Sequence, residues 1–218
     1  KFKLIILDPP YGKFSIEDIL KEIIKANILD EEGIVIIERP LGDKDYLLPQ
    51  GLYTLDSRDY GNITLDILAL GDAVAVTGTF DPYTIGHDFL VEKALEQFKC
   101  VHIVLLDNPD KVPSQSKKMR KKRIEQAVRR YRLGSRIKVN EYDGLAIDYC
   151  KSNDIRYIIR GFRNEEDLIY EKNMADWNLK YGNIETILIE ARDKSISSAE
   201  VRRRLEAGED VSSLLVGD

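Results

Sequence analysis

The chain has 218 residues, a formal net charge of −5 and a hydrophobic fraction of 43%. This length allows one large domain or two small ones, and the composition is that of a soluble globular protein. No apolar run approaches the length of a membrane span, and the mildly negative charge argues against general coating of nucleic acid. We therefore expect a cytoplasmic protein with no membrane partner.

The cysteines and histidines do not suggest a metal centre built by the protein. The two cysteines, Cys100 and Cys150, lie in apolar segments without metal-ligand spacing, which predicts buried, reduced thiols. With two histidines and no His/Cys cluster, we expect no zinc site and no metal held by protein side chains.

The first 71 residues predict a small α/β unit. The segment FKLIILDPPYG predicts a buried strand that ends in a rigid loop, and IEDILKEIIKANIL places apolar residues at helical spacing. GIVIIE predicts the next strand, and YTLDSRDYGNITLDILAL alternates as a hairpin with its turn at YGN. Because the chain begins inside a strand and without methionine, we interpret it as part of a longer sequence.

The remainder, residues 72–218, predicts a second unit in which strands and helices alternate. Strands are predicted at 73–77, 101–106, 136–140, 156–160 and 184–190, and helices at 86–98, 117–132, 145–152, 165–180 and 198–207. This order predicts a parallel sheet with right-handed crossovers. The junction ALGDAVAV contains no Pro/Ser-rich tract, so we expect the two units to be joined without a flexible linker.

Several strand ends of the second unit carry groups suited to phosphate. The first strand runs into GTFDPYTIGH (residues 78–87), a tight strand-to-helix turn that presents backbone N–H groups and a helix start. Later strand ends add NPDKVP with Lys111 and RGFR with Arg160 and Arg163. The last adds SISSAEVRRR, a helix start capped by serines. Because the carboxyl ends of parallel strands share one edge, these groups are expected to converge.

Each of these features also has a purely structural interpretation. Gly-His at a helix start is commonly no more than a turn, and Lys111 alone would be a surface lysine. Arg160 and Arg163 suit pairing with nearby acids, and the serines suit plain helix caps. The run SKKMRKKR is typical of a solvated helix face, with a nucleic-acid patch as the alternative.

The segment Thr84-Ile85-Gly86-His87 resembles the (H/T)-x-G-H signature of the nucleotidyltransferase superfamily. Together with GTFDP, the lysine loop, RGFR, DLIYE and ISS…VR in the same order, it makes residues 72–216 similar to the phosphopantetheine adenylyltransferase family. The resemblance implies a Rossmann-like parallel-sheet nucleotidyltransferase domain.

The resemblance also implies a reaction and a set of site residues. The phosphate of 4′-phosphopantetheine attacks the α-phosphate of ATP in line, pyrophosphate leaves, and dephospho-coenzyme A forms. His87 and Lys111 are the implied catalytic residues. The implied phosphopantetheine-binding residues are Thr79, Lys111, Leu145 and Arg160. The implied ATP-binding residues are Thr79, Phe80, His87, Gly161, Phe162, Arg163, Glu171, Ser197, Ser198 and Arg202. Mg²⁺ is implied with ATP, held by phosphates and water, and the family implies a homo-oligomer, a hexamer.

One loop departs from the family pattern. The family usually places an aromatic residue and a serine before its serine loop, where this chain has Asp193 and Lys194. The third serine of that loop is Ala199 here. We expect these differences to bear on ATP affinity and not on the catalytic pair.

The segment Asp8-Pro9-Pro10-Tyr11 resembles the fourth motif of amino-directed methyltransferases. There the acid and a proline-fixed carbonyl accept hydrogen bonds from a base's exocyclic amino group, and the tyrosine stacks on the flipped base. With GIVIIE and the YGN hairpin, residues 1–70 resemble the C-terminal half of the small-subunit rRNA guanine-N2 methyltransferase, thus half of a Rossmann-like sheet. A Pro-Pro turn that merely ends a strand is the alternative.

No glycine-rich S-adenosylmethionine loop precedes Asp8, so we expect no methylation by this chain alone. Contact with rRNA would need the full methyltransferase domain. The strand KLIIL would normally lie in mid-sheet, so we expect it to expose an apolar edge that a missing half or another chain covers.

Two other functions stay open on the sequence. One is a different nucleotidyltransferase of the same superfamily, although Lys111, Leu145 and Arg160 together favour pantetheine. The other is an RNA-binding module that uses Asp8 to Tyr11 and the basic run KKMRKKR.

Overall fold

The computed structural model describes residues 1–10, 13–42, 46–107, 113–133 and 136–216. These residues form two compact units, Lys1–Asp72 and Ala73–Asp218. Two of the predicted site residues, Tyr11 and Lys111, lie outside the described residues.

The first unit is a four-stranded mixed sheet with one helix. Its elements are β1 (Phe2–Leu7), α1 (Ile16–Lys25), β2 (Leu29–Pro40), β3 (Leu52–Tyr60) and β4 (Ile63–Leu70). The strand order is β1-β2-β4-β3, with β1 parallel to β2 and the other pairs antiparallel. The predicted hairpin is confirmed: Tyr60 pairs with Ile63, and Gly61 turns the chain with a φ of 61°, where glycine avoids a Cβ clash.

Helix α1 forms where the apolar spacing predicts it. The Ser15 side chain accepts a hydrogen bond from the backbone N–H of Asp18 at 3.2 Å and caps the helix. Ile16, Leu20 and Ile23 are buried and belong to the unit's core cluster, together with side chains of β2, β3 and β4. The helix therefore stabilises one face of the sheet through burial of this apolar stripe.

Strand β1 lies at the edge of its sheet. The side chains of Phe2, Leu4 and Ile6 are at least half exposed, whereas Ile5 and Leu7 pack against the core. The prediction of a buried strand is thus wrong for one of its faces, and the prediction of an exposed apolar edge is confirmed. Helix α1 packs on the face that carries Ile5 and Leu7, so the side chains of the opposite face stay exposed. The edge position itself follows from the single neighbouring strand that β1 has in the described residues.

The second unit is a parallel five-stranded sheet with helices between its strands. Its strands are β5 (Ala73–Gly78), β6 (Cys100–Leu106), β7 (Ile137–Tyr142), β8 (Tyr157–Phe162) and β9 (Glu185–Glu190). Its helices are α2 (Ile85–Gln97), α3 (Lys117–Val128), α4 (Ala146–Ser152), α5 (Glu165–Gly182) and α6 (Ser198–Glu206). A 3₁₀ turn, Arg129–Tyr131, follows α3. The predicted alternation is confirmed.

The strand order β7-β6-β5-β8-β9 makes β5 the central strand and confirms the Rossmann-like fold. The apolar run that precedes the GTFDP turn is buried along β5, as expected for a strand covered on both faces. From β5 the chain continues to β6 and β7 on one side of β5. The crossover after β7 then leads to β8 and β9 on the other side. Open α/β sheets bind ligands at the carboxyl edge of such a switch point, here between β5 and β8.

His102 lies on β6 and is buried, with Nδ1 2.8 Å from the Tyr149 hydroxyl oxygen. Burial lowers the pKa of His102 to about 3, whereas the unfolded chain titrates near pH ~6.5. The unfolded state then binds more protons between these values, so the stability of the second unit falls as the pH drops from ~6.5 towards 3, by up to about 1.4 kcal/mol per pH unit.

Urea unfolding at several pH values measures how stability depends on pH. The signal is the fluorescence of Trp177, the one tryptophan of the chain. We expect His102→Gln to remove much of the slope below pH ~6.5, whatever its effect on stability at neutral pH. Equal slopes in the two proteins would contradict the assignment to His102.

Candidate active site

The site is built around the turn that joins β5 to α2. Phe80 is buried in a left-handed conformation with a φ of 50°, and its ring packs over the end of β5. A Cβ at Gly78 would lie 3.1 Å from that ring, so the turn needs glycine there. Thr84 is the N-cap of α2, and its backbone forms an antiparallel bridge with Leu215. The helix N-terminus thus opens at the carboxyl edge of the sheet.

His87 occupies the first turn of α2. The Thr84 backbone N–H donates to His87 Nδ1 at 3.0 Å. Because an N–H can only donate, Nδ1 accepts, and the neutral ring carries its proton on Nε2. Phe80 meets the imidazole edge-on with ring centroids 5.0 Å apart, and Tyr83 stacks on it at 5.7 Å. The ring is therefore held with an Nε2–H donor, the group that a phosphate oxygen accepts.

Asp81, which the sequence analysis did not single out, ties three segments together. Its buried carboxylate accepts hydrogen bonds from the Ser114 backbone N–H at 2.6 Å and from the Ser114 hydroxyl at 2.9 Å. Arg202 donates to the Asp81 carbonyl oxygen and lies 3.6 Å from its carboxylate. The turn after β5, the start of α3 and helix α6 are thus joined through one side chain.

The serine loop brings a second helix start to the same place. Ser197 caps α6 by accepting from the Glu200 backbone N–H at 3.0 Å, and the Ser198 hydroxyl donates to the Pro82 carbonyl at 2.9 Å. Two helix N-termini, those of α2 and α6, therefore lie side by side, and both present positive ends to an anion. Asp193 shapes the preceding loop by accepting from the Ser195 backbone and hydroxyl at 2.9 and 2.6 Å.

Arg160, in the second half of β8, forms a bidentate ion pair with Glu171 of α5. Its Nε and Nη2 lie 2.9 and 2.7 Å from the two carboxylate oxygens, and Nη1 donates to the Thr77 carbonyl at 2.7 Å. Burial disfavours the charge, but hydrogen bonding to Glu171 outweighs it and keeps the pKa of Arg160 above its usual value. The family resemblance assigns these two residues to different substrates, and the structure joins them in one ion pair.

The remaining predicted site residues lie on or beside β8, α4 and α5. A Cβ at Gly161 would lie 3.1 Å from Leu90, so the chain passes close to α2 there. Arg163 pairs with Asp167 at 2.7 Å, and Phe162 ends β8 beside it. Leu145, just before α4, is 53% exposed, which leaves its side chain available to a ligand.

The basic run of α3 is not uniformly solvated. Arg120 is buried, donates to the carbonyls of Thr79 and Gln115, and lies 3.3 Å from Asp107. Lys117 pairs with Asp107 at 2.7 Å and with an oxygen of a second acid, Asp143. Arg120 therefore holds the Thr79 backbone in place. The sequence KKMRKKR alone does not predict this role.

Within the described ranges, no group of three or more His, Cys, Asp or Glu side chains is placed to hold a metal ion. Among the described residues, no helix has both the length and the apolar character needed to cross a bilayer.

Cys100 and Cys150 are buried, and burial raises their thiol pKa values to about 11 and 12.

Comparisons with known proteins agree with this geometry. Residues 75–204 match the family model described as cytidylyltransferase-like. The phosphopantetheine adenylyltransferase of Phocaeicola vulgatus is 39% identical over 143 residues, which cover 63% of this chain and 91% of that protein. That of Bacteroides fragilis is 38% identical over 143 residues with the same coverage. A bifunctional NMN adenylyltransferase/ADP ribose pyrophosphatase from Francisella tularensis shares the fold, with a TM-score of 0.52 at 16% identity over 67% of this chain and 45% of that one.

A parallel sheet with this switch point and a T-x-G-H helix start defines a nucleotidyltransferase of the cytidylyltransferase-like class. The two adenylyltransferases, which are 39% and 38% identical to this chain and are each covered to 91%, show which family of that class it belongs to. The chain belongs to the phosphopantetheine adenylyltransferase family.

The first unit has its own match. Residues 1–69 match the family model described as conserved hypothetical protein 95, which supports a methyltransferase-like piece with the mixed sheet seen here. Asp8 is exposed, and it directly follows Leu7, which pairs with Ile37 of the neighbouring strand. Asp8, Pro9 and Pro10 thus lie at the carboxyl end of β1, where the motif predicts them.

Proposed function

We propose that the second unit transfers the adenylyl group of ATP to 4′-phosphopantetheine, which yields dephospho-coenzyme A and pyrophosphate. The observation that carries this proposal is the placement of His87: its Nδ1 is occupied by the Thr84 N–H, so Nε2–H is the donor at the start of α2. The family relation supports the choice of substrates.

The geometry suits in-line transfer without a covalent enzyme intermediate. The attacking phosphate is already ionised, so the protein has to position it and to stabilise charge on the transferred group. His87 Nε2–H and the α2 N-terminus supply donors for the α-phosphate. The α6 start, with Ser197, Ser198 and Arg202, lies beside it and suits the β- and γ-phosphates. Mg²⁺ bound to the triphosphate would offset further negative charge.

The acceptor is proposed to lie on the Arg160 side. A guanidinium has five N–H groups. Two donate to Glu171 and the two of Nη1 face the Thr77 carbonyl and hydroxyl oxygens, which leaves one N–H of Nη2 for a phosphate oxygen. Thr79, held by Arg120, offers a hydroxyl and an N–H, and exposed Leu145 suits the pantetheine arm. Lys111 is proposed to bridge the attacking phosphate and the transferred phosphate. The proposed ATP contacts also include Gly161, Phe162, Arg163 and Glu171.

We also propose that the protein is a cytoplasmic homo-oligomer, a hexamer as the family resemblance implies. Helix α5 supports association, because it exposes four large side chains at helical spacing. They are Tyr170, Met174, Trp177 and Tyr181. Exposed apolar patches of this kind commonly mark contact surfaces.

Pyrophosphate release from ATP, measured with and without 4′-phosphopantetheine, tests the proposal. We expect release only with the acceptor present. Release with a different phosphate-bearing acceptor, and not with phosphopantetheine, would instead favour another nucleotidyltransferase. Binding of ATP without any release in the presence of 4′-phosphopantetheine would contradict the proposed reaction.

A second candidate function, RNA binding, rests on the solvent face of α3. Four cations, here called the basic stripe, share this face and have no ion-pair or hydrogen-bond partner among the described side chains: Lys118, Lys121, Lys122 and Arg129. One acid, Glu125, interrupts them. A linear array of unpaired cations suits a phosphodiester strand.

Fluorescence titration of a single-stranded RNA at several salt concentrations tests this activity. If all four cations contact phosphates, the slope of log K against log salt is expected near −3, from about −0.7 per contact. Lys118→Gln with Lys122→Gln should reduce the slope by about half, whereas Lys172→Gln with Lys180→Gln on α5 should not. Identical slopes in both double variants would exclude the basic stripe as the binding surface.

A further inference from the structure

Asp88, the residue after His87, is a buried carboxylate on a helix face that otherwise buries Val91 and Ala94. A carboxylate in such a place needs partners, because burial without them costs several kcal/mol. Two phenols supply them: the Tyr83 hydroxyl donates to Oδ1 at 3.2 Å and the Tyr131 hydroxyl to Oδ2 at 3.0 Å. Arg130, which is partly exposed, neutralises the charge at Oδ2.

Only one of these two phenols touches the imidazole. The Tyr83 ring stacks on His87 with centroids 5.7 Å apart and planes 20° apart. Tyr131 bonds to the same carboxylate, but no ring contact joins it to His87 in the described structure. The Tyr83 ring is also packed 5.9 Å from Phe80, which meets His87 from another side.

The orientation of His87 therefore depends on three constraints. The Thr84 N–H fixes one end of the ring through Nδ1, and Phe80 limits it at the edge. The stacked Tyr83 ring limits rotation about χ2, and Tyr83 itself is fixed at its far end by Asp88. A side chain that is held only by stacking samples several ring angles, and a misplacement of about 1 Å at a reacting group can lower a rate about 100-fold.

We infer that Asp88 is a positioning residue for His87 and that it acts through the Tyr83 hydroxyl. The inference rests on the proposed adenylyl transfer, because it assigns Nε2–H of His87 to the transferred phosphate. Asp88 and Tyr83 touch neither substrate in this scheme. They keep the imidazole at the angle from which Nε2–H faces the carboxyl edge of the sheet.

The two phenols provide a matched pair of variants. Tyr83→Phe and Tyr131→Phe each remove one hydroxyl from the same carboxylate and leave the aromatic ring in place. We expect Tyr83→Phe to lower kcat about tenfold while KM for ATP stays unchanged. We expect Tyr131→Phe to keep the wild-type kcat. A purely structural role of Asp88 predicts equal effects of the two variants, and that result would overturn the inference.

A double-mutant cycle tests the link between Asp88 and Tyr83. Asp88→Asn should lower kcat at least as much as Tyr83→Phe, and the combined variant should lose no more than Asp88→Asn alone. Glu96→Gln is the control, because it removes an exposed partner of Lys93 on the same helix. Fully additive losses would show that the two residues act independently.

The ¹⁵N shifts of the His87 ring give a readout that needs no turnover. The chain has two histidines, so His102→Gln assigns the spectrum. We expect Nδ1 unprotonated and Nε2 protonated in the wild type and in Tyr131→Phe, and exchange-broadened signals in Tyr83→Phe. Unchanged His87 signals in Tyr83→Phe would overturn the inference. If the wild type shows this tautomer but releases no pyrophosphate, the proposed function fails, and the ring signals still decide the positioning role.

Discussion

Replacement of His87 by alanine is expected to lower acceptor-dependent pyrophosphate release by about 100-fold or more, the usual effect of losing one donor to a charged transition state. The Nε2–H of His87 is set by the bond from Thr84 to Nδ1, so the donor is already in place before charge develops. Binding of ATP, measured by calorimetry, should change little, because the loss concerns the transition state.

The matched control for this variant is the other histidine. His102→Gln removes an imidazole from β6, where it bonds to Tyr149 inside the fold, and should leave the rate at neutral pH near the wild-type value. A His87→Ala protein that keeps within about threefold of the wild-type rate would contradict the electrostatic role assigned to this side chain.

Loss of Arg160 is expected to have two separate effects. Arg160→Met should raise KM for 4′-phosphopantetheine at least about tenfold, because a charge-assisted phosphate contact is worth about 1.5–3 kcal/mol. The same variant should lower the free energy of unfolding by about 2 kcal/mol, since it leaves the buried Glu171 carboxylate unpaired. This figure is below the range for fully buried pairs because the Arg160 side chain is 32% exposed.

The double variant Arg160→Met with Glu171→Leu separates the two effects. Removal of both charges takes away the unpaired carboxylate, so stability should return towards the wild-type value. The KM for the acceptor should stay high, because the phosphate contact is still missing. Urea unfolding and steady-state kinetics on the same preparations measure both. Recovery of KM together with stability would show that Arg160 is structural only.

Much of the fold follows from local patterns in the sequence. The continuous apolar run before Gly78 and the βαβ alternation that follows it predict a buried parallel strand and its neighbours, because hydrophobic spacing differs between strands and helices. The structure confirms β5, α2 and α5 within a few residues. The edge position of β1 agrees with the expectation of an exposed apolar edge, whereas the exposure of one of its faces does not follow from its continuous apolar run.

The class of site was predictable for a different reason. Thr84, Gly86 and His87 lie within four residues of the chain, so one helix turn fixes their relative positions. The motif can therefore be recognised from the sequence. The choice of Nδ1 as acceptor is also local, because the N-cap N–H lies three residues from the ring that it meets. The pairing of Arg160 with Glu171 spans 11 residues and was missed, although both residues were singled out.

The sequence by itself determined the two units, the Rossmann-like alternation and the T-I-G-H helix start. Only the tertiary structure decided which charges are buried and what they hold. Asp81 meets Ser114 across 33 residues, Arg120 meets Thr79 across 41, and Asp88 meets Tyr131 across 43. No local spacing encodes such pairs, because a buried charge is stable only where the fold brings its partner, and that meeting depends on how separate strands and helices pack.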